Sequence, residues 1–161
     1  MTDLDICMTN MTAFGEVSAR RTWLAVLARA SLTELEAKRV LVGELPALQQ
    51  VRPPEVGMLM LRGRVGGTGN PFNLGEASVV RCAVRLGNGA LGVAYAMGRD
   101  KRRAELAALF DALLQDPAWH DELQRTLIEP LQAQQAQARQ SRRREVAPSK
   151  VEFFTLVRGD A

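Results

Sequence analysis

Apolar residues recur at helical spacing near the start of the chain. They alternate with polar ones through its middle and return to helical spacing after Asp100. Met1–Thr12 has no periodicity and is read as part of a flexible leader spanning residues 1–17. Trp23, Leu24, Val26 and Leu27 mark one face of an amphipathic helix whose other face carries Arg20, Arg21 and Arg29. A second helix follows, with Ser31 or Thr33 as its cap, Glu34 and Glu36 in its first turn, and Leu35, Val40 and Leu41 as its apolar stripe. Gly43 and Pro46 end it.

From Ala47 the period is two. Leu48–Arg52 predicts a short strand that Pro53-Pro54 breaks. Met58–Val65 predicts another, with Leu59, Leu61 and Val65 on one face and Met58, Met60, Arg62 and Arg64 on the other. Beyond a glycine-rich loop, Ala77–Leu86 places Val80, Cys82, Val84 and Leu86 on one face against Arg81, Ala83 and Arg85. Gly87-Asn88-Gly89 supplies a hairpin turn, and Leu91, Val93, Tyr95 and Met97 mark the returning strand. The whole reads as an antiparallel sheet with one buried face.

Asp100 precedes a helix to Gln115 with the stripe Leu106, Leu109, Phe110, Leu113 and Leu114. Pro117 starts another, with Trp119, Leu123, Leu127 and Ile128 inside. Leu131–Lys150 is rich in Gln, Ala and Arg and has little to bury, which fits a solvated helix closed by Pro148. Val151–Val157 is either a last strand or an arm that docks on a partner. The grouped strands indicate an α+β fold: an antiparallel sheet of about four strands packed with N- and C-terminal helices, plus a C-terminal docking strand or arm. The expected organisation is a leader (1–17), one α+β domain (18–147) and the strand or arm (148–161).

Composition narrows the chemistry. At 161 residues, 47% hydrophobic and 24% charged, the chain can bury a core without staples. Aromatics at 5% argue against a stacking platform for single-stranded nucleic acid. No apolar run is long enough to span a membrane. Two cysteines, Cys7 and Cys82, and one histidine, His120, exclude a Cys/His zinc site and a Cys-held iron–sulfur cluster within this chain alone. No metal site and no complete catalytic constellation is expected. Cys82 reads as a small core residue and His120 as structural. Asp3 and Asp5, with no basic stretch before an apolar run, point to a cytoplasmic protein rather than a secreted one.

The net charge of +3 says less than its distribution, because residues 61–103 hold eight basic and only two acidic side chains. Such a field attracts anions or acidic surfaces. Gly66-Gly67-Thr68-Gly69, after Arg62 and Arg64, exposes backbone N–H groups suited to phosphate. It lacks a Walker lysine and a following helix, and reads more simply as a flexible turn that needs positive φ. Arg99, Lys101, Arg102 and Arg103 surround a helix start, where the dipole disfavours cations unless an anion or a partner's carboxylate is near. Arg81 and Arg85 share a sheet face, which Arg62 and Arg64 join if the register allows. Arg139, Arg142, Arg143 and Arg144 fit a solvated face. The bottom-up choice lies between a partner-dependent subunit and a small basic nucleic-acid-binding protein.

One ordered string of residues adds to this: Arg64 with Gly66-Gly67-Thr68-Gly69, Phe72, Gly75-Glu76, Arg81, Ala83-Val84-Arg85-Leu86, Gly89, Gly92, Gly98-Arg99-Asp100-Lys101, Ala104-Glu105 and Asp111-Ala112-Leu113. With Arg21-Thr22-Trp23-Leu24 before it and Val151-Glu152-Phe153-Phe154 to Arg158-Gly159-Asp160 after it, the string resembles the PhnG family, the G subunit of the bacterial carbon–phosphorus lyase core complex. The resemblance runs from about Arg20 to the C-terminus. It implies phosphonate catabolism, in which the G, H, I and L proteins together displace adenine from ATP with methylphosphonate. The I subunit then carries the nucleosidase chemistry, and the J subunit a later radical step. It further implies H, I and J as partners, a functional link to L, and no cofactor bound by this chain, ATP and methylphosphonate being substrates of the complex. No catalytic residue is expected here. The anion- or partner-binding candidates are Arg62, Arg64, Gly66, Gly67, Thr68, Gly69, Arg81, Arg85, Arg99 and Lys101, with Phe153, Phe154 and Arg158 for docking.

Overall fold

A computed structural model describes residues 17–64 and 69–146. Apart from Val17, the leader and the C-terminal arm lie outside them, as do Val65, Gly66, Gly67, Thr68, Phe153, Phe154 and Arg158. Helix α1 (17–27) turns Trp23, Val26 and Leu27 inward, and Ala30 just beyond it is also buried. In α2 (Leu32–Leu41) Ser31 is the cap. Its Oγ accepts from the Glu34 N–H at 3.3 Å, and Glu34 Oε2 accepts from the Ser31 N–H at 2.7 Å. Gly43, at φ 72°, ends the helix in a conformation that suits glycine. The expected stripe needs correction: Leu35 and Lys38 face inward while Val40 and Leu41 are exposed. At about 100° per residue, Val40 and Leu41 lie roughly 140° and 120° round the helix from Leu35.

The sheet has three strands, β1 (Leu48–Arg64), β2 (Pro71–Leu86) and β3 (Leu91–Met97), antiparallel in the order β1-β2-β3. The first two expected strands are thus one. Pro53-Pro54 does not break it because β1 is an edge strand and its pairing shifts register between Gln50 and Arg52 and between Arg52 and Glu55. Irregularities on an edge are where missing N–H donors do no harm.

Val80, Cys82, Val84 and Leu86 of β2 face the core as their alternation predicts. On β3 the inward residues are Gly92, Ala94 and Ala96, so Leu91, Tyr95 and Met97 point away. Helix α3 (Lys101–Leu114) dictates this by its closeness: a Cβ on Gly92 would lie 2.0 Å from the Ala108 carbonyl oxygen. Asp100 caps α3, accepting from the Arg103 N–H at 2.9 Å. Phe110, Leu113 and Leu114 of α3 are buried in the one core that the sheet and the helices share.

Asp116 caps α4 (Pro117–Leu123), with proline in the first turn. A π-helical turn, Gln124–Ile128, joins it to α5 (Glu129–Val146). The Glu129 N–H bonds to the Gln124 carbonyl. The wider turn sits just before Pro130, which has no N–H and whose ring crowds the carbonyl four residues back. Beyond Leu131, α5 leaves the core as the solvated helix its composition implies, though Gln135 still donates to the Val26 carbonyl at 3.0 Å.

Candidate functional site

Pairing between β1 and β2 runs from Leu48 opposite Leu86 to Arg64 opposite Pro71, but β3 accompanies only Val79–Arg85. Residues 58–64 and 71–78 therefore continue as a two-stranded ribbon. At 3.3 Å per residue it reaches roughly 25 Å past the end of β3. In register, Val56, Met58 and Met60 lie on the side that carries the core lower down, and Gly57, Leu59 and Leu61 lie on the other. The large side chains of both sets are exposed. The pairing slips at Leu61/Arg62, which leaves Leu74 without a partner across the ribbon.

The register distributes the candidate cations. Arg62 faces Asn73 and Arg64 faces Pro71, so both are at the ribbon tip, where Arg64 Nη1 donates to the Gly69 carbonyl at 3.3 Å. Arg81 and Arg85 project from the base of the sheet on the helix-free face. Eight residues of β2 separate Asn73 from Arg81, roughly 27 Å, so the four arginines do not share one half-sheet. Arg81 is paired with Glu55 at 3.2 Å, an exposed bridge worth under about 1 kcal/mol.

Arg99 and Lys101 are exposed beside the start of α3, where the Gly98 N–H donates to the Ser78 carbonyl at 2.8 Å. This is the point at which the ribbon leaves the core. Their neighbours are already engaged: Arg102 bridges to Glu105 at 3.2 Å, and Arg103 donates to the Met97 carbonyl. The structure thus holds three separate positive groups, at the tip, the ribbon root and the sheet base.

The nucleophilic and titratable candidates are tied up. Cys82 is buried beside Glu105, and burial first, then that carboxylate, pushes its thiol pKa up and keeps it protonated. The His120 ring stacks edge-on against Trp23 at 5.6 Å between centroids. Its Nδ1 is 2.7 Å from the Leu114 carbonyl, so that nitrogen carries the proton. Both line an open groove of about 740 Å³ between α1 and α4.

Two features escaped the sequence reading. One is the ribbon, whose apolar content resembles that of a buried strand. The other is Asp111, fully buried, which accepts from Arg20 Nε and Nη2, Trp23 Nε1 and the Val93 N–H. The signal for it was a carboxylate within the apolar stripe of α3.

A sequence profile of the family described as phosphonate metabolism protein PhnG matches residues 18–159. The chain belongs to the PhnG family. The alpha-D-ribose 1-methylphosphonate 5-triphosphate synthase subunit PhnG of Rhizobium meliloti (strain 1021) is 44% identical over 144 residues, covering 89% of this chain and 92% of that relative. The PhnG match begins in α1 and takes in the sheet, both halves of the ribbon and all of α3 to α5. Membership places the chain in phosphonate metabolism and bears out the resemblance seen in the residue string.

Proposed function

We propose that this chain is a cytoplasmic subunit of alpha-D-ribose 1-methylphosphonate 5-triphosphate synthase, acting with the H, I and L proteins and assembling with H, I and J. Its main contribution is to hold the I subunit, which makes and breaks the bonds at the ribose. ATP and methylphosphonate are substrates of the assembly, and this chain binds no cofactor of its own. The observation that carries the reading is the 44% identity, over nearly the full length of both chains, to a protein named as a subunit of that synthase. The engagement of Cys82, His120 and Asp111 in packing and backbone contacts agrees with a chain that does not do the chemistry itself.

A further part of the proposal concerns charge. Arg62, Arg64 and Gly69, together with Gly66, Gly67 and Thr68, would lend positive potential to the triphosphate or phosphonate. Arg99, Lys101 and Arg85 would meet acidic partner surfaces. Phe153, Phe154 and Arg158 remain docking candidates.

The test is an omission assay. Adenine release from ATP plus methylphosphonate is followed with all subunits present and with this chain left out. The reading expects turnover to collapse on omission and to be absent from this chain alone. Full turnover without it, or turnover by the isolated chain, overturns the reading.

A further inference from the structure

The ribbon formed by residues 58–64 and 71–78 carries six large apolar side chains between 38% and 62% exposed, among them Met58 and Met60 on one face, Leu59 and Leu61 on the other, and Leu74 at the bulge. A two-stranded ribbon in water is marginal on its own, and this one shows large apolar residues on both sides, with Glu76 as the exposed acid opposite Met60. We propose that this ribbon inserts into an apolar cleft of a different polypeptide, which covers both faces and leaves Arg62 and Arg64 at the far end of the cleft. The inference rests on the reading of the chain as an assembly subunit and names the element that does the docking.

Three observations select that occupant. The first is two-sidedness. A second copy packed across a twofold axis covers one face of a ribbon and leaves the other wet, whereas Met58 and Met60 stand opposite Leu59 and Leu61. A cleft covers both. The second is area: six large side chains left about half exposed present on the order of 550 Å² of apolar surface, the same order as the roughly 800 Å² per partner of a stable interface. The third is charge. Arg62 and Arg64 are exposed at the tip, and neither forms an ion pair among the described residues, which leaves both for the phosphates that the proposed function brings to the end of the cleft. The bulge at Leu74 adds local twist, and a Cβ on Gly63 would lie 2.4 Å from Leu74 Cδ1, so Leu74 folds across the glycine and shapes the tip.

Hydrogen exchange on the full chain, alone and co-purified with the other synthase subunits, tests this together with Met60→Glu, Leu61→Glu and, on the exposed face of α2, Val40→Glu. The inference expects ribbon amides to exchange quickly in the lone chain and at least tenfold more slowly in the assembly. It expects each ribbon substitution to weaken assembly at least tenfold and Val40→Glu to change it less than twofold. Ribbon amides already protected in the lone chain would overturn it, because a second copy or the chain's own terminal segment would then be the occupant. Assembly that tolerates either ribbon substitution would overturn it too. A wild-type chain that fails to assemble at all refutes the underlying reading, whereas assembly that leaves the ribbon amides unchanged refutes only the docking element. The wild-type exchange data decide the matter even if a variant fails to fold.

Discussion

Trp23 donates its indole N–H to Asp111 Oδ1 at 2.8 Å, across 88 positions of sequence. The same carboxylate takes both Arg20 donors and the Val93 N–H, so one fully buried side chain fastens α1, β3 and α3 to one another. A buried charge is tolerated only when its lone pairs are filled and a counter-ion is close, and here both conditions are met. Replacing Asp111 with Ala strands the Trp23 and Val93 donors and leaves Arg20 without its partner. The expected loss is about 3–5 kcal/mol, read as a lower urea midpoint, and the double variant with Arg20→Ala should lose less than the sum of the two singles.

The contact between β3 and α3 makes a sharper claim about a glycine. Gly92→Ala puts a methyl 2.0 Å from the Ala108 carbonyl oxygen and 2.7 Å from Ala112 Cβ, so helix and strand must separate. The expected cost is about 3 kcal/mol or more. Gly57→Ala, with nothing within 4 Å, should stay within about 0.5 kcal/mol of wild type in the same unfolding experiment.

Cys82 gives the chain a pH signature. Burial raises its thiol pKa above the ordinary 9.0, so the folded state keeps a proton that the unfolded state releases. The unfolded chain then binds fewer protons above pH 9, and stability falls as pH rises through that range. Urea midpoints measured between pH 7 and 10 should show this fall in the wild type and a smaller one in Cys82→Ala. At pH 8 the folded protein should leave Cys82 unalkylated by iodoacetamide, with modification appearing only on denaturation.

The three positive groups are not equivalent. Arg81 already spends its charge on Glu55, whereas Arg62 and Arg64 at the tip do not share it with an acid among the described residues. In the reconstituted synthase, Arg81→Ala should keep adenine release within about threefold. The Arg62→Ala/Arg64→Ala pair should lower it by about tenfold or more, the scale of a lost charged hydrogen bond. Equal effects from the two would contradict the proposed role of the tip.

Much of the fold can be read from local rules. The alternation of Val80 to Leu86, the stripe on α3 and the caps at Ser31 and Asp100 each follow from a period of two or 3.6 or from one hydrogen bond. Long-range contacts decide the rest. Pro53-Pro54 ends a central strand but not an edge strand, and strand order is invisible in sequence. Leu91, Tyr95 and Met97 look like the buried side of β3 until α3 comes so close that only Gly92, Ala94 and Ala96 fit beneath it. The cations were legible as a cluster along the chain. Only the register of β1 on β2 shows that they lie at opposite ends of a long hairpin. The ribbon alternates like a core-facing strand, and only the end of β3 at its pairing with Val79 shows that its apolar residues have nothing packed on them among the described residues.

The central claim is that this chain works as one part of a larger assembly. Co-expression with the H, I and J subunits, followed by size-exclusion chromatography with light scattering, tests it most directly. The chain is expected to elute in a single species with those subunits at fixed stoichiometry. Elution of the chain by itself as a monomer, while the other subunits assemble without it, would rule out that role.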